Sequence, residues 1–285
     1  MIASMTGFGK AISQLTTKKI TVEIRSLNSK GLEINVRMPS NYREKELDIR
    51  KKLSKTLTRG KVDFSLYIEK TGVDDNITIN KPMVKKYIEE LQSINGDHGH
   101  NLLDIAMRLP ESVHTHVEDI DAQEWLEIDK TIDEALKHLL EFREQEGETL
   151  LHDFGIRLKN ISANLNKVVG LDGERKAELK NRLYQAIEEL KAEVDTNRFE
   201  QELIYYLEKL DITEEIVRLK SHLNYFDKNL KSKTSNGKKL GFITQEMGRE
   251  INTIGSKANY APMQKKVIKM KDELEKIKEQ LLNVL

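Results

Sequence analysis

The chain has 285 residues, 38% of them apolar, and its 47 Lys/Arg balance 47 Asp/Glu. That composition excludes a disordered chain and supports a sizeable core, so two or three lobes are expected. Cysteine is absent, which excludes disulfides and thiolate metal sites. No stretch approaches the roughly 18 apolar residues of a membrane span, and Met1 to Lys10 lacks a basic region followed by an apolar one, so the expected location is the cytoplasm.

In chain order, Val22 and Ile24, then Leu32, Ile34, Val36 and Met38, then Val62, Phe64, Leu66 and Ile68 recur at period two, as in a half-buried sheet. Between the second and third runs, Tyr42 to Thr58 suits a basic amphipathic helix ending before Gly60. Opposite strand faces carry Glu23, Arg25, Asn35, Arg37 and Asp63, which line a groove or simply meet water. Residues 1–73 hold 15 Lys/Arg against 7 Asp/Glu, a net +8, whereas residues 74–150 hold 7 against 19, a net −12. From Lys81 onward helices dominate. Thr131 to Leu190 is highly charged with recurring Leu and Ile, and a Gly-containing stretch at Val169 to Gly173 predicts a turn, hence a long antiparallel helical hairpin. Lys231 to Lys239 reads as a basic loop, followed by helices from about Leu240 to Lys257 and from about Pro262 to the C-terminus. Residues 226–285 hold 13 Lys/Arg against 7 Asp/Glu, a net +6.

The expected fold class is α+β. A small N-terminal sheet domain with a helix (1–80) precedes an acidic helical and loop segment (81–130), the hairpin (131–197) and a C-terminal helical domain (198–285). Both basic ends could face a polyanion, or acidic and basic segments could neutralise each other.

The chemically rich positions lie in the last third. Asp211, Glu215, Arg218 and His222 fall in one sector at spacings 4, 3 and 4, and Ile212, Ile216, Leu219, Leu223 and Phe226 form an apolar stripe about 100° away. Two carboxylates, an arginine and an imidazole are the groups wanted to bind a divalent cation, hold a phosphate and move a proton. Asp211 with Glu214 also resembles a capping box, and Glu215 with Arg218 an ordinary surface pair. The second helix repeats the design: Glu246, Glu250, Thr253 and Lys257 share one face with Arg249 at its edge, and Ile243, Met247, Ile251 and Ile254 form the stripe. If both stripes pack on a common core, up to four carboxylates flank one cleft. Gly237-Lys238-Lys239 lacks the rest of a phosphate-binding loop, and His98, His100, His114 and His116 read as incidental.

At these residues the sequence resembles the YicC/YloC family of bacterial endoribonucleases. The N-terminal resemblance rests on Met5-Thr6-Gly7-Phe8-Gly9, Glu23-Ile24-Arg25-Ser26-Leu27-Asn28 leading into Val36-Arg37-Met38-Pro39, and Arg59-Gly60-Lys61-Val62. The C-terminal one rests on Asp211-Ile212-Thr213-Glu214-Glu215 through Arg218-Leu219, Ser221-His222-Leu223 and Phe226, then Gly237-Lys238-Lys239-Leu240, Gln245-Glu246-Met247, Arg249-Glu250, Asn252-Thr253 and Ser256-Lys257. Ser29-Lys30 stands where the family commonly has His-Arg, and Gly241 where it commonly has Asp, so no role is expected at positions 29 or 241. The resemblance implies a homohexamer that cleaves RNA phosphodiester bonds with Mn²⁺ or Mg²⁺ in RNA turnover. Metal ligands are then expected at Asp211, Glu215, His222, Glu246 and Glu250, with His222, Glu246, Glu250, Arg218 and Arg249 catalytic. RNA contacts are expected at Arg25, Asn28, Lys30, Arg37, Arg59, Lys61, Lys238, Lys239 and Lys257. The rival expectation is a non-catalytic RNA-binding adaptor that delivers RNA to another nuclease, with other RNA-decay proteins as partners.

Overall fold

A computed structural model describes residues 2–71, 77–95, 101–115, 121–190, 195–232 and 237–285. His98, His100 and His116, and part of the expected basic loop, lie outside these described residues. The elements in order are β1 (Gly7–Gln14), β2 (Lys18–Leu27), β3 (Leu32–Arg37), a 3₁₀ turn (Ser40–Lys45), α1 (Glu46–Thr56), β4 (Gly60–Lys70), β5 (Ile77–Ile79), α2 (Lys81–Asn95), α3 (Leu102–Arg108) and β6 (Val113–Thr115), followed by α4 (Ala122–Leu190), α5 (Thr196–Lys209), α6 (Thr213–Leu230), α7 (Gly237–Lys257) and α8 (Ala261–Leu281). The α+β expectation is borne out. Contacts divide the chain into a sheet unit, Phe8–Arg25 with Gly31–Leu139, and a helical unit, Met1–Gly7 with Ser26–Lys30 and Leu140–Leu285.

In the sheet unit four strands run in the order β1-β2-β4-β3. Strand β3 lies parallel to β4, with Leu32 opposite Gly60 and Arg37 opposite Ser65. Parallel neighbours need a crossover, which α1 supplies. Its Ile49 and Leu53, with Leu57 beyond it, pack onto Ile20, Val22, Ile24, Val62, Phe64 and Leu66. Gly60 opens β4 at φ 124°, a left-handed conformation that glycine adopts without a Cβ clash. The first 18 residues of α4 complete this core through Ile128, Ile132, Ala135, Leu136 and Leu139.

Strand β1 escaped the alternation argument because its inward positions carry Gly9 and Ala11 rather than large apolar residues. The cause is steric. A Cβ on Gly9 would stand 2.0 Å from the Ala135 carbonyl oxygen and 2.7 Å from the Leu139 nitrogen. The outward positions hold Phe8, Lys10 and Ile12 instead.

The segment expected as acidic helix and loop contains α2 and α3 and, with β5, a two-stranded antiparallel ribbon pairing Ile79 with Val113. Asn80 ties them together. Its backbone donates to the Ser112 carbonyl at 2.9 Å, its side chain donates to the Glu111 carbonyl at 3.0 Å, and its Oδ1 accepts from Met83 N at 3.3 Å.

The expected hairpin is corrected: α4 is one uninterrupted helix of 69 residues, and no turn forms at Val169 to Gly173. Two glycines there cost about 1 kcal/mol each in a helix, far less than a proline. Buried Val168 and half-buried Leu171 continue the apolar stripe through the segment, and Asp172 pairs with Arg175 and Lys176 one turn on.

In the helical unit, Leu150, Phe154, Leu158, Ile161, Leu165 and Val168 of α4 share a core with Leu219, Leu223, Phe226 and Leu230 of α6. Ile243, Met247, Ile251 and Ile254 of α7 and Met263, Val267, Met270, Leu274, Ile277 and Leu281 of α8 complete it. Their 3–4 spacing is that of packed amphipathic helices. Both expected apolar stripes are buried here, with Ile216 only partly so. Chain ends meet in this unit: Met5 N donates to the Asn283 carbonyl at 2.7 Å, and Leu285 N to that of Ala3 at 3.0 Å. Buried Arg143 donates to the Met5 carbonyl and to Ser26 Oγ. The Met5-Thr6-Gly7 segment therefore serves as a clasp, with Thr6 Oγ1 donating to Glu146 at 3.0 Å.

Two outcomes follow from this packing. Gly9→Ala overpacks backbone that cannot step aside and is expected to cost about 1–3 kcal/mol in urea denaturation. Arg157 holds Glu273 at 3.2 Å across α4 and α8. Burial pushes the Glu273 carboxyl up, but hydrogen bonds from Arg157 and Asn160 outweigh it and hold it below its ordinary 4.5. A carboxylate lowered on folding stabilises above its unfolded pKa, and that stability is lost as pH falls through the folded value. Below about pH 4.5, the melting temperature of wild type should therefore fall more steeply than that of Glu273→Gln.

Candidate active site

Helices α6 and α7 pack directly on each other within the helical unit. Their direction is fixed by one ion pair: Lys257 Nζ, at the end of α7, lies 2.6 Å from Glu215 Oε1 in the first turn of α6. The same ammonium donates to the Asp211 carbonyl at 2.9 Å. The helices are thus antiparallel. His222 follows Glu215 by seven residues along α6 and Glu250 precedes Lys257 by seven along α7, two turns in each helix. Glu246 follows one turn further along.

Burial sorts the expected polar faces unevenly. Glu215 and Glu250 are buried, at 6% and 8% exposure, while Arg218 and Arg249 point to solvent and His222 and Glu246 are half-buried. Glu215 Oε2 is buried and accepts no hydrogen bond. Glu246 Oε1 is likewise buried without one, although an Arg249 nitrogen lies 2.8 Å away as an ion pair. Arg218 pairs with Glu214 on its own helix. Buried carboxylate oxygens without donors are costly and call for a cation or a proton.

Asp211 takes the structural option. It precedes α6, and its carboxylate accepts from Thr213 N at 3.3 Å and Thr213 Oγ1 at 3.1 Å, with Lys176 at 3.4 Å. Burial raises its pKa, yet these bonds from Thr213 and Lys176 bring it net below 3.8. Arg175, nearly buried, donates to the Lys257 carbonyl at 3.2 Å and pairs with Asp172, capping the C-terminus of α7 with positive charge. Lys257 is thereby engaged in holding α6 against α7.

The five expected ligands do not gather as one group: among the described residues no three His, Asp or Glu side chains come together in a metal-binding arrangement. Lys238 and Lys239, expected in a loop, lie in the first turn of α7. Lys239 Nζ sits 4.9 Å from the ring centroid of Tyr225. In the sheet unit, Arg25 stacks 5.5 Å over Phe8 and reaches Glu23, and Lys61 lies opposite Glu33 on the neighbouring strand. Arg37 is exposed and Arg59 half-buried there, and Asn28 and Lys30 of the helical unit are exposed.

Two side chains beside this site were not anticipated. Tyr225 stands three residues beyond His222, and Phe242 four before Glu246, each on the polar rather than the apolar sector. That displacement was readable from the helical wheel.

Matches to known families complete the picture. Residues 2–152 match the family model described as the N-terminal region of YicC-like endoribonucleases, and residues 169–285 match its C-terminal region. The chain belongs to the YicC-like endoribonuclease family. It is 31% identical to a protein of Clostridioides difficile named "Probable endoribonuclease YicC" and 33% identical to one of Haemophilus influenzae with the same name, each over the full length of both chains. Among the described residues no helix is long and apolar enough to cross a membrane.

Lys257→Met leaves Glu215 buried without its cation and should cost roughly 3 kcal/mol in urea denaturation. Adding Glu215→Leu should restore part of that loss; a double variant as unstable as the single would contradict the pairing.

Proposed function

We propose that this protein is an endoribonuclease of RNA turnover, dependent on Mn²⁺ or Mg²⁺ and working as a cytoplasmic homohexamer. The observation that carries the site is the burial of carboxylate oxygens on the facing helices α6 and α7: Glu215 Oε2 accepts no hydrogen bond, and Glu246 Oε1 is met by the solvent-exposed Arg249 at 2.8 Å. Full-length relatives bearing the endoribonuclease name support the activity. Oxygen donors with one imidazole suit either ion, and Mg²⁺ is commonly held by one or two carboxylates with substrate phosphates completing its shell. Glu246 and Glu250, one turn apart on α7, are the residues that would hold it, with His222 on the facing helix; Glu215 is taken by Lys257 and Asp211 by Thr213. Bound there, the cation would supply charge neutralisation for the phosphate and acidify water.

The chain's own groups have distinct tasks. His222 moves a proton to or from the attacking or departing oxygen. Arg218 and Arg249, exposed beside it, bind the phosphate at the cleaved bond, trading their partners Glu214 and Glu246 for RNA. Lys238 and Lys239, placed at the positive end of a helix, oppose the helix dipole and favour a bound anion. Arg25, Asn28, Lys30, Arg37, Arg59 and Lys61 contact more distant backbone.

The adaptor reading is favoured by one observation, the lack of a three-residue ligand group among the described residues. Labelled RNA incubated with Mn²⁺, Mg²⁺ or chelator separates the two. Cleavage should need a metal and fall by about 10²–10⁴ in His222→Ala/Glu250→Ala. Equal cleavage by the variant rejects this site, and binding without cleavage by wild type selects the adaptor. A cyclic 2′,3′-phosphate product would show attack by the RNA hydroxyl rather than by water.

A further inference from the structure

The polar sector shared by α6 and α7 carries two aromatic rings that the core does not use. Phe242 is 62% exposed and Tyr225 46%. On α6, Arg218, His222 and Tyr225 recur at spacings of four and three; on α7, Phe242, Glu246 and Arg249 do the same. Each helix therefore lines up one ring, one catalytic candidate and one arginine. The antiparallel packing sets both rings toward the same end, where Lys239 reaches across from α7 to the face of Tyr225 at 4.9 Å. Lys239 also holds the Tyr225 hydroxyl below its ordinary pKa by hydrogen bonding. Lys238 is exposed one residue before it.

We infer that Tyr225 and Phe242 form a stacking platform for unpaired bases next to the cleaved bond, making single-stranded segments of RNA the preferred substrate. The inference rests on the endoribonuclease reading and specifies its substrate. Exposed rings interleaved with cations match a single strand on both counts: each ring takes the face of a base, and the lysines and arginines take the phosphates between bases. In a duplex those base faces are already stacked and hidden, so the rings gain nothing from it. A second copy of this chain could also cover exposed rings, but Lys238 and Lys239 at the same end of the helix pair, on the positive end of a helix dipole, are complementary to a polyanion rather than to a like-charged copy.

Binding is measured in chelator, so that no cleavage intervenes, with a twelve-nucleotide strand carrying one 2-aminopurine, alone and annealed to its complement. Phe242→Leu and Tyr225→Leu keep an apolar side chain at exposed positions and lose the ring. Each should weaken single-strand binding about tenfold and diminish the quenching of 2-aminopurine, with duplex affinity unchanged. Phe242→Trp should bind like wild type, with its own fluorescence quenched by the strand. Equal losses on both RNAs, or none on either, overturn the platform. So does a shift in oligomeric state on size exclusion at unchanged RNA affinity, which assigns the rings to a contact between copies. Cleavage with Mn²⁺ is scored separately against His222→Ala. Wild type that discriminates strands without cleaving sustains the platform and defeats the nuclease, whereas cleavage indifferent to Phe242→Leu and Tyr225→Leu does the reverse.

Discussion

Lys257 reaches Glu215 at 2.6 Å and the Asp211 carbonyl at 2.9 Å, and the register of α6 against α7 follows from that contact. Apolar stripes alone allow two helices to slide by a turn with little change in buried area. A buried ion pair does not, because a slip of one turn strands both charges. With Arg175 closing the far side through the Lys257 carbonyl, the ends of both helices are fixed against α4. His222 lies two turns from the pairing of Lys257 with Glu215 along α6, and Glu250 two turns from it along α7.

The same constraint explains why carboxylates lie in the seam. A helix that only needed solubility would turn Glu215 and Glu250 outward, where hydration costs nothing. Burial at 6% is tolerated for Glu215 because Lys257 compensates one of its oxygens; the other accepts no hydrogen bond. Such groups persist where the surrounding fold overdetermines them and a ligand completes them.

Period arguments worked where one principle governed. The strands of β2, β3 and β4 and the stripes of α6 and α7 were legible because burial alone dictates their alternation. They failed where two effects competed. Strand β1 inverts the usual pattern, since α4 comes so close that Gly9 is needed inward and Phe8 is left outward. Gly170 and Gly173 looked like a turn, but flanking apolar residues and ion pairs carry α4 through them. At the site, spacing placed Asp211, Glu215, Arg218 and His222 on one helix face and Glu246, Glu250, Thr253 and Lys257 on another, while the solvent exposure of each depended on the tilt of two helices that a single-helix wheel does not contain. Lys257 is the sharpest case: a basic residue on the right face, expected on RNA, is used to hold the helices together.

Charge segregation along the chain has a comparable resolution. Part of the N-terminal excess is met inside the sheet unit by the acidic start of α4. Lys18 pairs with Glu124 at 2.8 Å, and Lys52 with Asp129 and Asp133 at 2.7 Å each. Burial lowers the Lys52 pKa, but its hydrogen bonds to Asp129 and Asp133 outweigh that and raise the net value. Mutual neutralisation is therefore realised there, and ion pairs already satisfied contribute little further attraction to a distant polyanion. The net +6 of residues 226–285 is balanced differently, with Lys238 and Lys239 set at a helix N-terminus that already carries positive charge. A placement that weakens the helix and sets a cation on Tyr225 is better explained by an anion that binds than by the stability of the fold.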